Sequence, residues 1–173
     1  MHIPLQSGSD TILKLMNRKY DCEQFYHKIQ KIKEALPDVA LTTDVIVGFP
    51  QEEEKHFKET YDFIKKCGFH MLHVFPFSAR EGTKAYAMSG QVDPKIKKER
   101  VDSLLELSKQ LWNDYVERFI GKELDVLIEK IDKETHTAYG HTSNYIDVAI
   151  PNSDAKPGKI VSINIQKSMI VSK

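Results

Sequence analysis

The sequence predicts an α/β region followed by a small all-β domain, and three observations carry that expectation. Apolar residues recur at steps of three and four after Asp21, after Glu52 and after Pro94, which is the spacing of one helix face. β-branched runs bounded by Gly and Pro follow the first two of these segments. Beyond Gly121 the pattern changes to short alternating runs separated by turn residues.

The first residues, Met1 to Leu5, read as part of a strand that breaks into the turn Gln6-Ser7-Gly8-Ser9-Asp10. From Asp21 the positions Phe25, Ile29, Ile32 and Leu36 form one helical face. Asp21 and Gln24 make a capping pair, and Pro37 stops the helix. Ala40 to Val47 then reads as a buried strand ending at Gly48-Phe49-Pro50. A second helix begins with Glu52, Glu53 and Glu54, where negative charge suits the dipole, and ends at Gly68. Met71 to Phe75 is the next strand, closed by Pro76. Asp93-Pro94 starts a long helix whose apolar face continues as far as Gly121.

Strand and helix alternating in this order imply parallel strands joined by crossovers, as in an α/β barrel or an open α/β sheet. Three strands leave an edge and apolar faces uncovered, so a longer natural protein is expected to supply more; a small complete three-layer domain is the alternative. In the last third, Leu124 to Ile131, Thr135 to His141, Tyr145 to Ile150, Lys159 to Ile165 and a run near Met169 predict five strands in a closed barrel of the oligonucleotide-binding (OB) kind. The domain boundary is placed at residue 120, giving domains 1–120 and 121–173.

Composition narrows the function. The 173 residues carry 25 Lys plus Arg against 25 Asp plus Glu, so the basic surplus common in nucleic-acid-binding proteins is missing. No run approaches the roughly 20 apolar residues of a bilayer span, and no secretory signal is seen. A soluble, cytoplasmic protein without membrane partners is expected. The only cysteines, Cys22 and Cys67, have no ligand spacing, and His70 and His73 fall on opposite faces of a strand, so no metal site is assigned.

Three turns each follow a strand: Gln6 to Asp10, Gly48 to Glu52, and Phe77 to Thr83. In a parallel sheet they share one rim, the carboxyl ends of the strands, where α/β folds bind ligands. For RNA, the hairpin with Tyr139, His141, Asn144 and Tyr145 offers aromatic faces for stacking on bases. Its charges cancel, since residues 121–173 hold seven Lys and seven Asp plus Glu. The stretch Lys14 to Lys33, with Lys14, Arg18 and Lys19 among six basic residues, is the better candidate for phosphate contact; a solvated helix face is its alternative.

Several stretches resemble the radical S-adenosylmethionine (SAM) methylthiotransferases that modify adenosine beside the tRNA anticodon. They are His2-Ile3-Pro4-Leu5-Gln6-Ser7-Gly8-Ser9-Asp10, Met16-Asn17-Arg18-Lys19-Tyr20, Thr43-Asp44-Val45-Ile46-Val47-Gly48-Phe49-Pro50, and His73-Val74-Phe75-Pro76-Phe77-Ser78-Ala79-Arg80-Glu81-Gly82-Thr83. The tail, with Gly121-Lys122 and Thr142-Ser143-Asn144-Tyr145, resembles that family's TRAM domain. The resemblance implies the C-terminal half of a radical SAM, partial TIM-like barrel, followed by an OB-like TRAM barrel. It implies Gln6, Ser7 and Arg18 near the amino-acid and ribose parts of SAM, Ile46 and Gly48 near its adenine, and Phe75 presenting backbone beside that ring.

The run His73 to Ser78, with Arg80 to Thr83, looks most like the branch that converts N6-threonylcarbamoyladenosine at tRNA position 37 to its 2-methylthio derivative. Two departures stand out. Gln51 replaces a glycine usual in the family, and the Cys-x-x-x-Cys-x-x-Cys that ligates a 4Fe–4S cluster is absent. The chain is therefore expected to be catalytically silent alone and to bind neither SAM nor cluster stably, with no catalytic residue assigned. Its alternatives are a free-standing TRAM-containing RNA-binding module and an inert fragment that self-associates through an exposed sheet edge.

Overall fold

In the first part of the chain, elements follow in the order α1 (Asp10–Leu15), α2 (Cys22–Ala35), β1 (Thr42–Val47), α3 (Glu54–Cys67), β2 (Met71–Pro76) and α4 (Pro94–Glu117). The computed structural model describes residues 1–171. It contains two compact units, Met1–Trp112 and a second beginning at Asn113.

In the first unit β1 pairs in parallel with β2 along its whole length, from Thr42 opposite Met71 to Val47 opposite Pro76. On its other side Met1–Gln6 runs parallel as well, through bridges at His2–Thr42 and Gln6–Val45. Between the bridges the Leu5 amide donates to the Thr43 hydroxyl at 2.9 Å and not to a strand carbonyl, so a bridged segment stands where an unbroken strand was expected. Alternation along β1 buries Thr43, Val45 and Val47 and leaves Thr42, Asp44 and Ile46 on the opposite face. Leu5, Ile29, Val45, Ile64, Phe69, Leu72, Leu104 and Leu107 make up the core, each worth about 1.5–3 kcal/mol of burial.

Local chemistry sets the helix ends. Asp21 accepts from the Gln24 amide at 2.8 Å at the start of α2. At the start of α3 the Glu53 amide donates to His56 Nδ1 at 3.1 Å, and Gly68 ends that helix in a left-handed conformation at φ 62°. Asp93 accepts from the Lys95 amide at 2.7 Å, with Pro94 as the first helical residue. The helix α1 and the end of α4 at Glu117, short of Gly121, differ from expectation.

The second unit holds β3 (Glu123–Asp132), β4 (Thr137–Thr142), β5 (Asp147–Pro151) and β6 (Ile160–Asn164) in one antiparallel sheet of order β5-β4-β3-β6. Val126, Ile128, Ala138, Ile146, Val148, Ile150 and Ile165 fill its core. A bulge between Ile128 and Lys130 shifts the β3–β4 register. There Gly140 is required, because a Cβ on it would lie 2.1 Å from the Leu127 carbonyl oxygen.

Neither sheet closes, and both barrel expectations are corrected. In the first unit, β1, β2 and one bridged segment are too few strands to wrap around a core. In the second, the run near Met169 forms a 3-10 helix, Lys167–Met169, and Ile170 makes a single bridge to Val148, so no fifth strand links β6 to β5 among the described residues. The fold is an α/β arrangement with two open sheets.

Candidate functional site

The parallel register puts the three bends at one edge of the first sheet. Gln6 lies opposite Val45, and its carbonyl accepts from the Ile46 amide at 2.8 Å. Ile46 lies opposite Phe75, and the Phe77 amide donates to Val47 O at 2.8 Å. Gln6, Ile46, Gly48 and Phe75 therefore come together at the carboxyl ends of their strands. Ile46 and Phe75 share the face turned away from the helices, where Phe75 is 50% exposed. Beneath them on that face, His2 Nε2 approaches Asp44 Oδ2 at 3.3 Å and the His2 ring lies 5.6 Å from that of His73. His70, by contrast, is buried against Leu41 O and the Trp112 ring.

Other expected site residues are placed differently. Ser7 is fully buried, its Oγ 3.2 Å from Thr60 Oγ1 of α3, so its hydroxyl faces the helix layer and not the rim. Arg18 is exposed on the loop after α1. That loop is tied to the rim by Tyr20, whose hydroxyl donates to Leu5 O at 2.8 Å; burial raises the Tyr20 phenol pKa and the Arg18 charge opposes the rise. Lys14 and Lys19 are exposed, with Lys19 Nζ on Asn17 Oδ1 at 2.9 Å.

Gly48 has a reason the sequence did not reveal. It is buried, with φ 73°, and a Cβ on it would lie 2.4 Å from Lys97 Cγ of α4. The close approach that calls for glycine is made by a side chain of this chain. The Gly48 amide donates to Glu52 Oε1 at 2.8 Å, and the same oxygen accepts from Arg100 Nη1 at 2.7 Å. Burial pushes the Glu52 carboxyl pKa up, opposed by the Gly48 amide and the Arg100 charge. Glu52, Lys97 and Arg100 were not among the expected site residues. The signal for Arg100 was a charge at the step of four between Ile96 and Leu104, on the apolar stripe of a helix.

In the second unit Tyr139 and His141 project from the outward face of β4. The rings of His141 and Tyr145 stack with 6.2 Å between centroids and an angle of 12°, and Tyr145 is 60% exposed. His141 Nδ1 lies 3.4 Å from Glu129 Oε1, and Lys130 Nζ lies 4.9 Å from the Tyr139 ring centroid. Asn144 is used differently: its side-chain oxygen accepts from the Thr142 hydroxyl within the turn.

The two cysteines are too few for the thiolate set that holds an iron–sulfur cluster. Burial pushes Cys67 up to about 12, and burial with the nearby Asp10 raises Cys22 further. Among the described residues no group of three or more His, Cys, Asp or Glu side chains could hold a metal ion. Among them also, no helix is long and apolar enough to cross a membrane.

Comparison with known proteins fits this geometry. The model of the radical SAM superfamily matches residues 1–64, and that of the TRAM domain matches residues 117–169. The chain is 47% identical to the threonylcarbamoyladenosine tRNA methylthiotransferase MtaB of Bacillus subtilis over 97% of its own length and 38% of that protein. It is 41% identical to a tRNA-2-methylthio-N(6)-dimethylallyladenosine synthase of Acetivibrio thermocellus over 95% of its length and 35% of that protein. The solved structure of coproporphyrinogen III oxidase (HemN) of Escherichia coli, a radical SAM enzyme, shares the fold with TM-score 0.55 and 18% identity, over 64% of this chain and 26% of that one.

These findings define the class: a radical SAM segment joined to a TRAM domain. Within that class, the chain matches the radical SAM tRNA methylthiotransferase family. It spans little more than a third of the length of the curated relatives it matches.

Proposed function

We propose that the chain is part of a cytoplasmic enzyme that adds a methylthio group to C2 of N6-threonylcarbamoyladenosine at tRNA position 37. The observation that carries this reading is the 47% identity, over nearly the whole chain, to a protein with that named activity. Residues 1–120 form its SAM-facing part and residues 121–173 its RNA-facing part. SAM and iron–sulfur clusters supply the radical chemistry in the family. This chain's thiols fit no cluster, so it supplies binding and orientation.

In this reading Ile46 and Phe75 flank the adenine ring as an apolar platform, with Gln6 and Gly48 at its border. Arg18 grips the amino-acid carboxylate of SAM through two parallel hydrogen bonds, which a guanidinium is shaped to do. Ser7 supports the bend from beneath. Lys14 and Lys19 contact phosphate, while Tyr139, His141 and Tyr145 stack on unpaired bases of the anticodon loop, Asn144 holding their turn.

The test is complementation of a strain that lacks its own 2-methylthio-N6-threonylcarbamoyladenosine, using the full-length protein that carries this segment, with modified nucleosides read by mass spectrometry. Return of that nucleoside supports the assignment. Return of the dimethylallyl counterpart alone would move the protein to the other branch.

The stacked His141–Tyr145 pair favours a second reading, a TRAM-containing RNA-binding module without catalysis. It predicts salt-dependent tRNA binding by the chain alone and no modified nucleoside in any context.

A further inference from the structure

We infer that Lys97 and Arg100 of α4 are positioning residues for the adenine platform, fixing the bend after β1 against the bend after β2. The inference rests on the proposed SAM-facing role of that rim. The two side chains stand three residues apart on α4 and so share a face. Arg100 takes the first bend: Nη1 donates to Glu52 Oε1 at 2.7 Å and to the Glu52 carbonyl at 3.1 Å, and Nη2 lies 3.4 Å from Glu54 Oε2. Held in this way, Glu52 Oε1 accepts the Gly48 amide at 2.8 Å, which fixes a residue in the left-handed region.

Lys97 takes the second bend. Its stem fills the space beside the Gly48 Cα, and its Nζ donates to the Phe77 carbonyl at 3.0 Å, with the ammonium 5.5 Å from the Phe77 ring centroid. The Phe49 and Phe77 rings meet edge to face at 5.0 Å. The two clamped bends flank Ile46 and Phe75, so their spacing sets the angle between the two walls of the platform.

The buried pair makes a poor device for stability alone. Arg100 is 5% exposed, and its Nε is buried with no hydrogen-bond partner, so burial of this charge leaves one donor unsatisfied. An apolar pair of similar volume stabilises a core at least as well. What an apolar pair cannot do is hold a backbone amide by a directed bond, and the Gly48 amide receives one.

Amide hydrogen exchange by NMR on this chain tests the inference, with S-adenosylhomocysteine as the ligand probe for the full-length protein that carries this segment. In Arg100→Lys, which keeps the charge and loses the fork, exchange at Gly48 should rise about tenfold while the amides of β1 change less than about twofold. Arg100→Met should raise it further, with Arg100→Lys intermediate. Lys97→Met should perturb the Phe77 resonances without a comparable rise at Gly48. Exchange at Gly48 that is unchanged, or that rises only in step with β1, overturns the inference. In the full-length protein that carries this segment, Ile46, Gly48 and Phe75 resonances that ignore the probe, while the exchange pattern holds, refute the adenine reading and leave the clamp standing. Where the probe does bind, it should bind Arg100→Met at least about fivefold more weakly than Arg100→Lys.

Discussion

The two units present their candidate ligand-facing residues in opposite ways. The first uses the ends of parallel strands: single residues reach the rim from three bends, and their mutual placement depends on side chains of a helix far along the chain. The second uses the face of an antiparallel sheet, where Tyr139 and His141 stand two residues apart on one strand and Tyr145 folds back from the adjoining turn. A rim is only as exact as the clamps behind it. A sheet face is fixed by its own ladder, which makes it tolerant of loss at single exposed residues.

The sharpest way to break this contrast is Arg100→Met. Removing one partner of a buried ion pair costs about 3–5 kcal/mol, because the other charge remains buried and unpaired. The loss should fall on the first unit, and Trp112, the only tryptophan and a member of that unit, reports it by fluorescence during denaturant unfolding. It should also depend on pH. Burial already raises the Glu52 pKa, and losing Arg100 removes a charge that lowers it. The penalty of an ionised Glu52 is therefore full at neutral pH and is relieved as pH falls toward the ordinary carboxylate range, where the folded state takes up the proton first. A loss that is equal at pH 7 and pH 5 would refute this account.

Gly140→Ala is the matching change in the second unit. A Cβ 2.1 Å from the Leu127 carbonyl forces the bulge open, at about 2–3 kcal/mol. Circular dichroism of the strands should shift to lower denaturant while the Trp112 transition stays in place. Coincident shifts would show that the units unfold together.

These two changes also mark what was legible in the sequence. The caps at Asp21, Asp93 and Gly68 and the alternation of the strands are local signals, and the structure contains them where the residues place them. The common rim followed from topology, since parallel strands must end together. The burial of the Ser7 hydroxyl was not legible because its partner, Thr60, lies 53 residues away on α3. Arg100 was missed because Glu52 lies 48 residues from it. Closure of a barrel depends on strand number and stagger, which short alternating runs do not encode; the last run turned into a 3-10 helix instead.

A smaller effect separates stability from binding on the sheet face. Tyr145 sits at φ 64°, a conformation that Asn adopts far more readily. Tyr145→Asn should leave the unfolding midpoint unchanged or slightly raised. Binding of an anticodon stem-loop by the full-length protein should weaken by about 1–3 kcal/mol, the worth of one base stacked on an aromatic ring. Unaltered binding would remove Tyr145 from the RNA face and leave Tyr139 and His141 to carry it.

The smallest effect has the counterpart position on the rim. Gln51 takes a left-handed conformation, the one glycine adopts most readily, at φ 68°. Its amide donates to the Gly90 carbonyl at 2.8 Å, and that bond survives any substitution other than proline. Gln51→Gly removes a left-handed cost of about 1–2 kcal/mol and adds about 0.4–1 kcal/mol of unfolded-chain entropy, so the first unit should gain roughly 0.5 kcal/mol. Against this stands the Gln51 stem, whose Cγ would lie 3.0 Å from a Cβ on Gly90 and so covers that glycine. A higher denaturant midpoint at constant slope means that relief of backbone strain outweighs the lost packing. A lower midpoint means that the stem's contact with Gly90 outweighs the strain, and that this bend, unlike Tyr145, holds its left-handed residue for packing.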